Sequence, residues 1–236
     1  MNELQNAIKL YQHANCPGCN TAYVELVKSL KQINEFERPD GFIILEDTLY
    51  LIEHFEFDSS KVNKKGAQDR REFGRIKRTL EGCPVNTIYH DTVKGDRSIS
   101  QYLENLLCNF HNHYKNIDLY IDNIIKHIND FSYIKFGFFI EDTTIFGNSY
   151  KLKEKDSFSN LYSLHLAYCK EFIDLFEESK KLDFCFCSIS NSKNRSLDLI
   201  NKENIYLYRD AQIECSQIEL INFSTNTSGA NILLSY

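Results

Sequence analysis

The chain has 236 residues, 42% hydrophobic and 25% charged, with only 9 Gly and 3 Pro, which suits one large or two small packed domains and excludes a disordered or collagen-like polymer. A net charge of −6 excludes a protein coated in basic surface for non-specific nucleic-acid binding. It leaves room for a local patch: residues 61–78 hold eight Lys/Arg against two acids, so that segment is +6 while the rest is −12.

The start, MNELQNAIKLYQ, carries no long apolar run, and no stretch of about 18 apolar residues occurs further along the chain. No secretory signal and no membrane span are therefore expected, and a cytoplasmic location is the corresponding expectation. The eight cysteines are then read as reduced thiols rather than a disulfide framework.

Taken in chain order, IKLYQHAN reads as a strand leading into Cys16-Pro17-Gly18-Cys19. Residues 20–36 carry an apolar stripe at helical spacing, with Asn20 or Thr21 to cap it. GFIIL and TLYLI then read as two strands joined by a tight turn at Glu46-Asp47. The basic segment leads into a helix from about Ala67 to 80, which EGCPV breaks. Residues 98–127 predict a long amphipathic helix or a pair of them. Residues 133–147 predict a hairpin, 160–181 a helix, and LDFCFCSI, NIYLYRD, SQIELINF and NILLSY four strands.

The expected fold class is mixed α/β (α+β), a single domain over 1–236 with a helical segment at about 95–129 and a strand-rich extension from about 130 to 236. That extension is expected either to widen the sheet or to select substrate.

Three readings are open for Cys16 and Cys19. A C-x-x-C ahead of a helix resembles the redox site of glutaredoxin, where the helix terminus favours the thiolate. The pair could be half of a zinc site, with His13, Cys83, His90, His111 and His113 as remaining candidates. The third reading is structural thiols. Cys185 and Cys187 would share one face of a strand and have the wrong spacing for a zinc knuckle. His111 and His113, two apart on a helix, point to different faces and read as exposed polar positions.

The second strand continues as IEHFEFD, placing Glu53, His54, Glu56 and Asp58 where a buried strand should stay apolar. Alternation sets Glu53 and Phe55 on one side and His54, Glu56 and Asp58 on the other. Glu56 and Asp58 read as the solvated face of an edge strand. An unpaired buried carboxylate costs several kcal/mol, so Glu53 on an apolar face asks for a function. Asp40 opens the preceding strand, and together the two carboxylates could hold Mg²⁺ or Mn²⁺ against a phosphodiester.

"PDGFIILEDTLYLIEHF" resembles the core of the PD-(D/E)XK superfamily, the restriction-endonuclease-like nucleases, over about residues 20–80. Pro39-Asp40 matches its Pro-Asp and Glu53 its Asp/Glu. Glu25 in the preceding helix matches the helical Glu of some members, and Gln68 a Gln that some exonucleases carry.

The resemblance implies a restriction-endonuclease-like sheet flanked by helices. It also implies metal-dependent cleavage of nucleic acid, DNA before RNA, with Asp40, Glu53 and Glu25 as metal ligands. A bulge that rotates the strand would bring His54 or Glu56 into that site. The family's Lys, two residues after the acid, is here Phe55. Either Lys64 or Lys65 supplies the ammonium, or the hairpin belongs to a non-catalytic nucleic-acid or protein-binding module.

Arg71, Arg75 and Arg78, on one side of the basic helix, would contact phosphates. A thiol oxidoreductase or zinc protein built on Cys16 and Cys19 is the remaining alternative. A homodimer or protein partner is compatible with every reading, and a membrane is not expected.

Overall fold

The computed structural model describes residues 3–11, 13–59, 98–144, 149–152, 162–190, 195–209 and 211–220. It also describes short pieces at 62–63, 66–67, 74–75, 78–79, 89–91 and 230–232.

The chain opens with helix α1 (Glu3–Leu10) and a short strand β1 (His13–Asn15). Helix α2 (Thr21–Ser29) comes next, capped by the Asn20 side chain accepting from the Tyr23 N–H at 3.2 Å. After β2 (Asn34–Glu35) come β3 (Gly41–Leu45) and β4 (Thr48–Phe57), joined by the two-residue turn Glu46-Asp47. Glu46 has φ 53°, the left-handed conformation a two-residue hairpin turn requires. The next labelled elements are α3 (Ile99–Tyr114), α4 (Ile117–Ile124) and β5 (Tyr133–Asp142). Then come β6 (Ser149–Leu152), β7 (Tyr162–Ser163), α5 (Lys170–Glu178), β8 (Phe184–Ser190), β9 (Arg195–Asn201), α6 (Tyr206–Arg209) and β10 (Ile218–Leu220).

Seven strands form a mixed sheet in the order β1-β9-β8-β5-β4-β3-β2, and β6, β7 and β10 form a second, three-stranded sheet. Strand β5 pairs parallel with both β4 and β8, so residues from the second half complete the sheet that the hairpin begins. Strand β4 is central, not an edge, which overturns the solvated-face reading: His54 and Asp58 are buried and Glu56 is half-buried.

Both faces of β4 are covered. Leu49, Leu51, Phe55 and Phe57 join one core with α3, α4 and α5 through Tyr102, Leu106, Phe110, Ile117, Tyr120, Phe172 and Phe176. Tyr50 and Ile52 join the other with α1 and α2 through Leu4, Ile8, Tyr23 and Leu26. Each fully buried aliphatic or aromatic side chain contributes roughly 1.5–3 kcal/mol, and here the contributions come from both sides of one ribbon.

Several expectations are corrected. Strand β5 pairs in parallel with β4 and β8, a buried position that suits its unbroken apolar run, and residues 145–147 of the expected hairpin lie outside the described residues. The 160–181 helix begins only at Lys170, after β7 and a 3₁₀ turn at Leu166–Tyr168. NIYLYRD is helical over Tyr206–Arg209 rather than a strand, because Ile205 and Tyr208, three apart, are the buried pair. IKLYQ belongs mainly to α1, with only His13–Asn15 extended. The 98–127 pattern resolves as a pair of helices. Among the described residues no helix is long and apolar enough to cross a membrane.

Candidate functional site

The β3–β4 register pairs Gly41 with Ile52, and one step further it sets Asp40 opposite Glu53. Directly opposed residues of an antiparallel pair have Cβ atoms about 4.5–5.5 Å apart, so the two carboxylates are cross-strand neighbours. Asp40 Oδ2 accepts the His54 backbone N–H at 2.8 Å, which pins the aspartate to β4. Burial first, then the charge of Glu53, push the Asp40 carboxyl up to about 6, against the hydrogen bond from His54. The helix pair closes this corner: Asn123 of α4 donates to the Glu37 and Arg38 carbonyls at 3.1 and 2.9 Å, holding the chain just before Asp40.

Glu53 is 5% exposed and faces the α3–α4 side of the sheet. Its Oε1 meets His113 Nδ1 at 2.9 Å. Its Oε2 is buried and has no hydrogen-bond partner among the described residues. Burial first, then the Glu53 charge and a hydrogen bond to the Glu53 carboxylate, push the Tyr120 phenol up to about 12.

Phe55 is 4% exposed, and its ring lies flat against that of His113, with centroids 5.1 Å apart and an interplanar angle of 16°. The position that the resemblance assigns to Lys is thus a platform under an imidazole brought from α3. His113 is not the exposed polar position expected of it. It continues the buried stripe Tyr102–Leu106–Phe110 by one more helical step, whereas His111 lies off that stripe and bonds the Leu107 carbonyl. That stripe was the available signal.

On the opposite face of β4, His54 Nε2 lies 3.3 Å from Glu141 Oε2, and the Tyr11 hydroxyl donates to Glu141 Oε1 at 3.0 Å. Glu56 is opposite Glu141 in the β4–β5 register. Ligand atoms of His54, Glu56 and Glu141 lie within 4.8 Å of one another, as do those of Cys169, Glu171 and Cys215, so either group could hold a metal ion. Asp40 and Glu53 belong to neither triplet.

Glu25 is exposed on α2, whose buried residues pack on the Tyr50–Ile52 face. The sheet therefore stands between Glu25 and Glu53, and the structure does not bring it to Asp40 and Glu53. Lys64, Lys65, Gln68 and Arg71 lie outside the described residues. Arg75 and Arg78 are helical and exposed. Cys16 and Cys19 are joined in a disulfide, which corrects the expectation of reduced thiols and removes them as a zinc-ligand pair in this state. Cys19 Sγ accepts from the amides of Asn201 and Asn204, each at 3.4 Å. Cys185 and Cys187 share the α3–α5 face of β8, as alternation requires, and are core.

Comparison with protein-family models, curated proteins and solved structures finds no match to this chain.

Proposed function

We propose that the chain is a metal-dependent hydrolase of phosphodiester bonds in nucleic acid, on a restriction-endonuclease-like hairpin, with Asp40 and Glu53 holding Mg²⁺ or Mn²⁺. The observation that carries the reading is Glu53, a carboxylate 5% exposed beside a second carboxylate whose proton affinity it raises. Two like charges in a partly dry corner are destabilising by themselves, and a cation between them reverses the sign. The donors are hard oxygens, which suits Mg²⁺ or Mn²⁺, and Mg²⁺ commonly takes only one or two protein carboxylates and keeps waters. The cation supplies Lewis-acid polarisation of a phosphoryl oxygen and a more acidic water.

The chain's own residues supply the rest. In this reading His113 Nδ1 donates to Glu53 Oε1, which leaves Nε2 to act as general base toward the attacking water. Phe55 fixes the plane of that ring. In this reading His113 takes the role the resemblance gives to Lys, and neither Lys64 nor Lys65 is needed for it. The His54–Glu141 cluster supports the metal assignment less well, because His54 and Tyr11 already engage both Glu141 oxygens. Arg75 and Arg78, with Arg71 on the same basic segment, are assigned to the phosphate backbone.

The test is incubation of the purified chain with single- and double-stranded DNA and RNA in Mg²⁺ or Mn²⁺. Cleavage lost in both Asp40→Ala and Glu53→Ala is expected. Cleavage that survives both substitutions refutes this site, and nucleic-acid binding without cleavage selects the non-catalytic module. The Cys16–Cys19 disulfide favours a second reading, thiol–disulfide exchange; a disulfide that glutathione does not reduce removes it.

A further inference from the structure

A second chemical centre lies far from Asp40 in the sequence and uses none of the residues assigned to hydrolysis. Cys169 precedes α5 and Cys215 precedes β10, 46 residues apart, yet their sulfurs are 3.4 Å apart and both residues are buried. Glu171, half-exposed on the first turn of α5, reaches the same point. Its Oε2 lies 3.5 Å from Cys169 Sγ, and its Oε1 accepts the Cys215 backbone N–H at 2.9 Å. Backbone bonds fix the two segments: Lys170 N–H to the Ile213 carbonyl at 3.1 Å, and Ile213 N–H to the Tyr168 carbonyl at 2.8 Å.

We propose that Cys169, Cys215 and Glu171 form a zinc site, two thiolates and one carboxylate, with a water as the fourth ligand. Both cysteines are free, and their spacing suits a metal. A tetrahedral Zn²⁺ with Zn–S of about 2.3 Å and Zn–O of about 2.0–2.2 Å sets its ligands roughly 3.5–3.8 Å apart along each edge. The two edges at Cys169 are 3.4 Å to the Cys215 sulfur and 3.5 Å to Glu171 Oε2, within a few tenths of an ångström of those values, and the third edge lies within 4.8 Å. A disulfide needs about 2.05 Å, so the two sulfurs stand here as separate thiols.

Buried cysteines are usually just small hydrophobes. What sets this pair apart is the carboxylate: Glu171 brings one oxygen to the Cys169 sulfur and the other to the Cys215 backbone N–H. The Cys215 N–H orients that carboxylate much as the outer partners of metal ligands do. The partly exposed side of Glu171 gives the ion a route from solvent. A soft, sulfur-rich set selects zinc over the Mg²⁺ or Mn²⁺ assigned to Asp40 and Glu53, so the two centres do not compete for one ion. It joins the segment entering β10 to the start of α5, and with three protein ligands it keeps one coordination position for water.

The site is tested on the full chain, reduced and stripped of metal, titrated with Co²⁺ as a spectroscopic stand-in. One equivalent is expected to raise a near-ultraviolet thiolate-to-cobalt band, and stoichiometric Zn²⁺ is expected to bleach it. A Cys16→Ser/Cys19→Ser variant should keep the band and Cys215→Ser should lose it. Glu171→Gln, a half-exposed change that spares both thiols, should weaken Co²⁺ binding at least tenfold. Absence of the band in the unsubstituted chain overturns the proposal, as does its loss in Cys16→Ser/Cys19→Ser or unchanged affinity in Glu171→Gln. The unsubstituted chain and the Glu171 variant decide the matter even if Cys215→Ser fails to fold.

Discussion

Replacing Asp40 by Asn tests the electrostatics of the hairpin corner most directly. Asn keeps the shape and still offers an oxygen to the His54 N–H, but removes one of two opposed charges. Asp40 has an ordinary value of 3.8 and is pushed up to about 6 in the folded chain. The folded state therefore holds the proton more tightly than the unfolded one. Stability falls as pH rises from about 4 to 6, and stays lowered above that. A gap of that size corresponds to roughly 3 kcal/mol if burial were complete. Asp40 is only partly buried, so screening leaves about 1 kcal/mol.

Asp40→Asn should thus match the parent near pH 3.5 and exceed it at pH 7.5 by about 1 kcal/mol, or about 2–4 °C in melting temperature for a chain of this size. Adding Mn²⁺ should reverse the order. A cation at a hundredfold excess over its Kd stabilises the parent by about 2.7 kcal/mol and leaves the variant unmoved. Thermal melts at two pH values, with and without Mn²⁺, make the measurement. A variant equally destabilised at both pH values, or equally stabilised by Mn²⁺, would show that the two carboxylates neither oppose one another nor share an ion.

Phe55→Ala opens a cavity against Phe138 and removes the platform under His113, so a cost of about 3–5 kcal/mol in urea unfolding is expected. Cleavage by the fraction still folded should fall as well; full cleavage would separate His113 from the chemistry. Gly137→Ala places a Cβ 2.1 Å from the Phe184 ring, inside the sheet between β4 and β8, and should cost about 1–3 kcal/mol. An unchanged urea midpoint would mean that Phe184 moves freely, contrary to its full burial.

The local pattern of residues 20–58 was enough to place the start of α2 at its Asn20 cap, the Glu46-Asp47 turn and the two strands of the hairpin, because each is encoded within a few residues; the helix expected to run to 36 stops at Ser29, and Leu30–Gln32 turns into strand β2 (Asn34–Glu35). Alternation along TLYLIEHFEF also separated Glu53 from His54 and Glu56, since a strand's period of two is a property of the strand itself. Antiparallel pairing across a two-residue turn then set Asp40 opposite Glu53 with no help from the rest of the molecule.

Everything that depends on which surfaces meet had to come from the tertiary fold. Strand β4 is central only because β5 arrives more than 70 residues later to pair in parallel, and that burial turns His54 and Asp58 inward. Glu25 sits at plausible spacing yet on the wrong side of the sheet, because α2 packs its Tyr23 and Leu26 against Tyr50 and Ile52. His113 reaches Glu53 only because α3 crosses the opposite face. Cys169 and Cys215 meet only because backbone bonds join Tyr168–Lys170 to Ile213. A chain writes its periodicities locally, whereas the convergence of distant side chains is fixed by the packing of apolar faces.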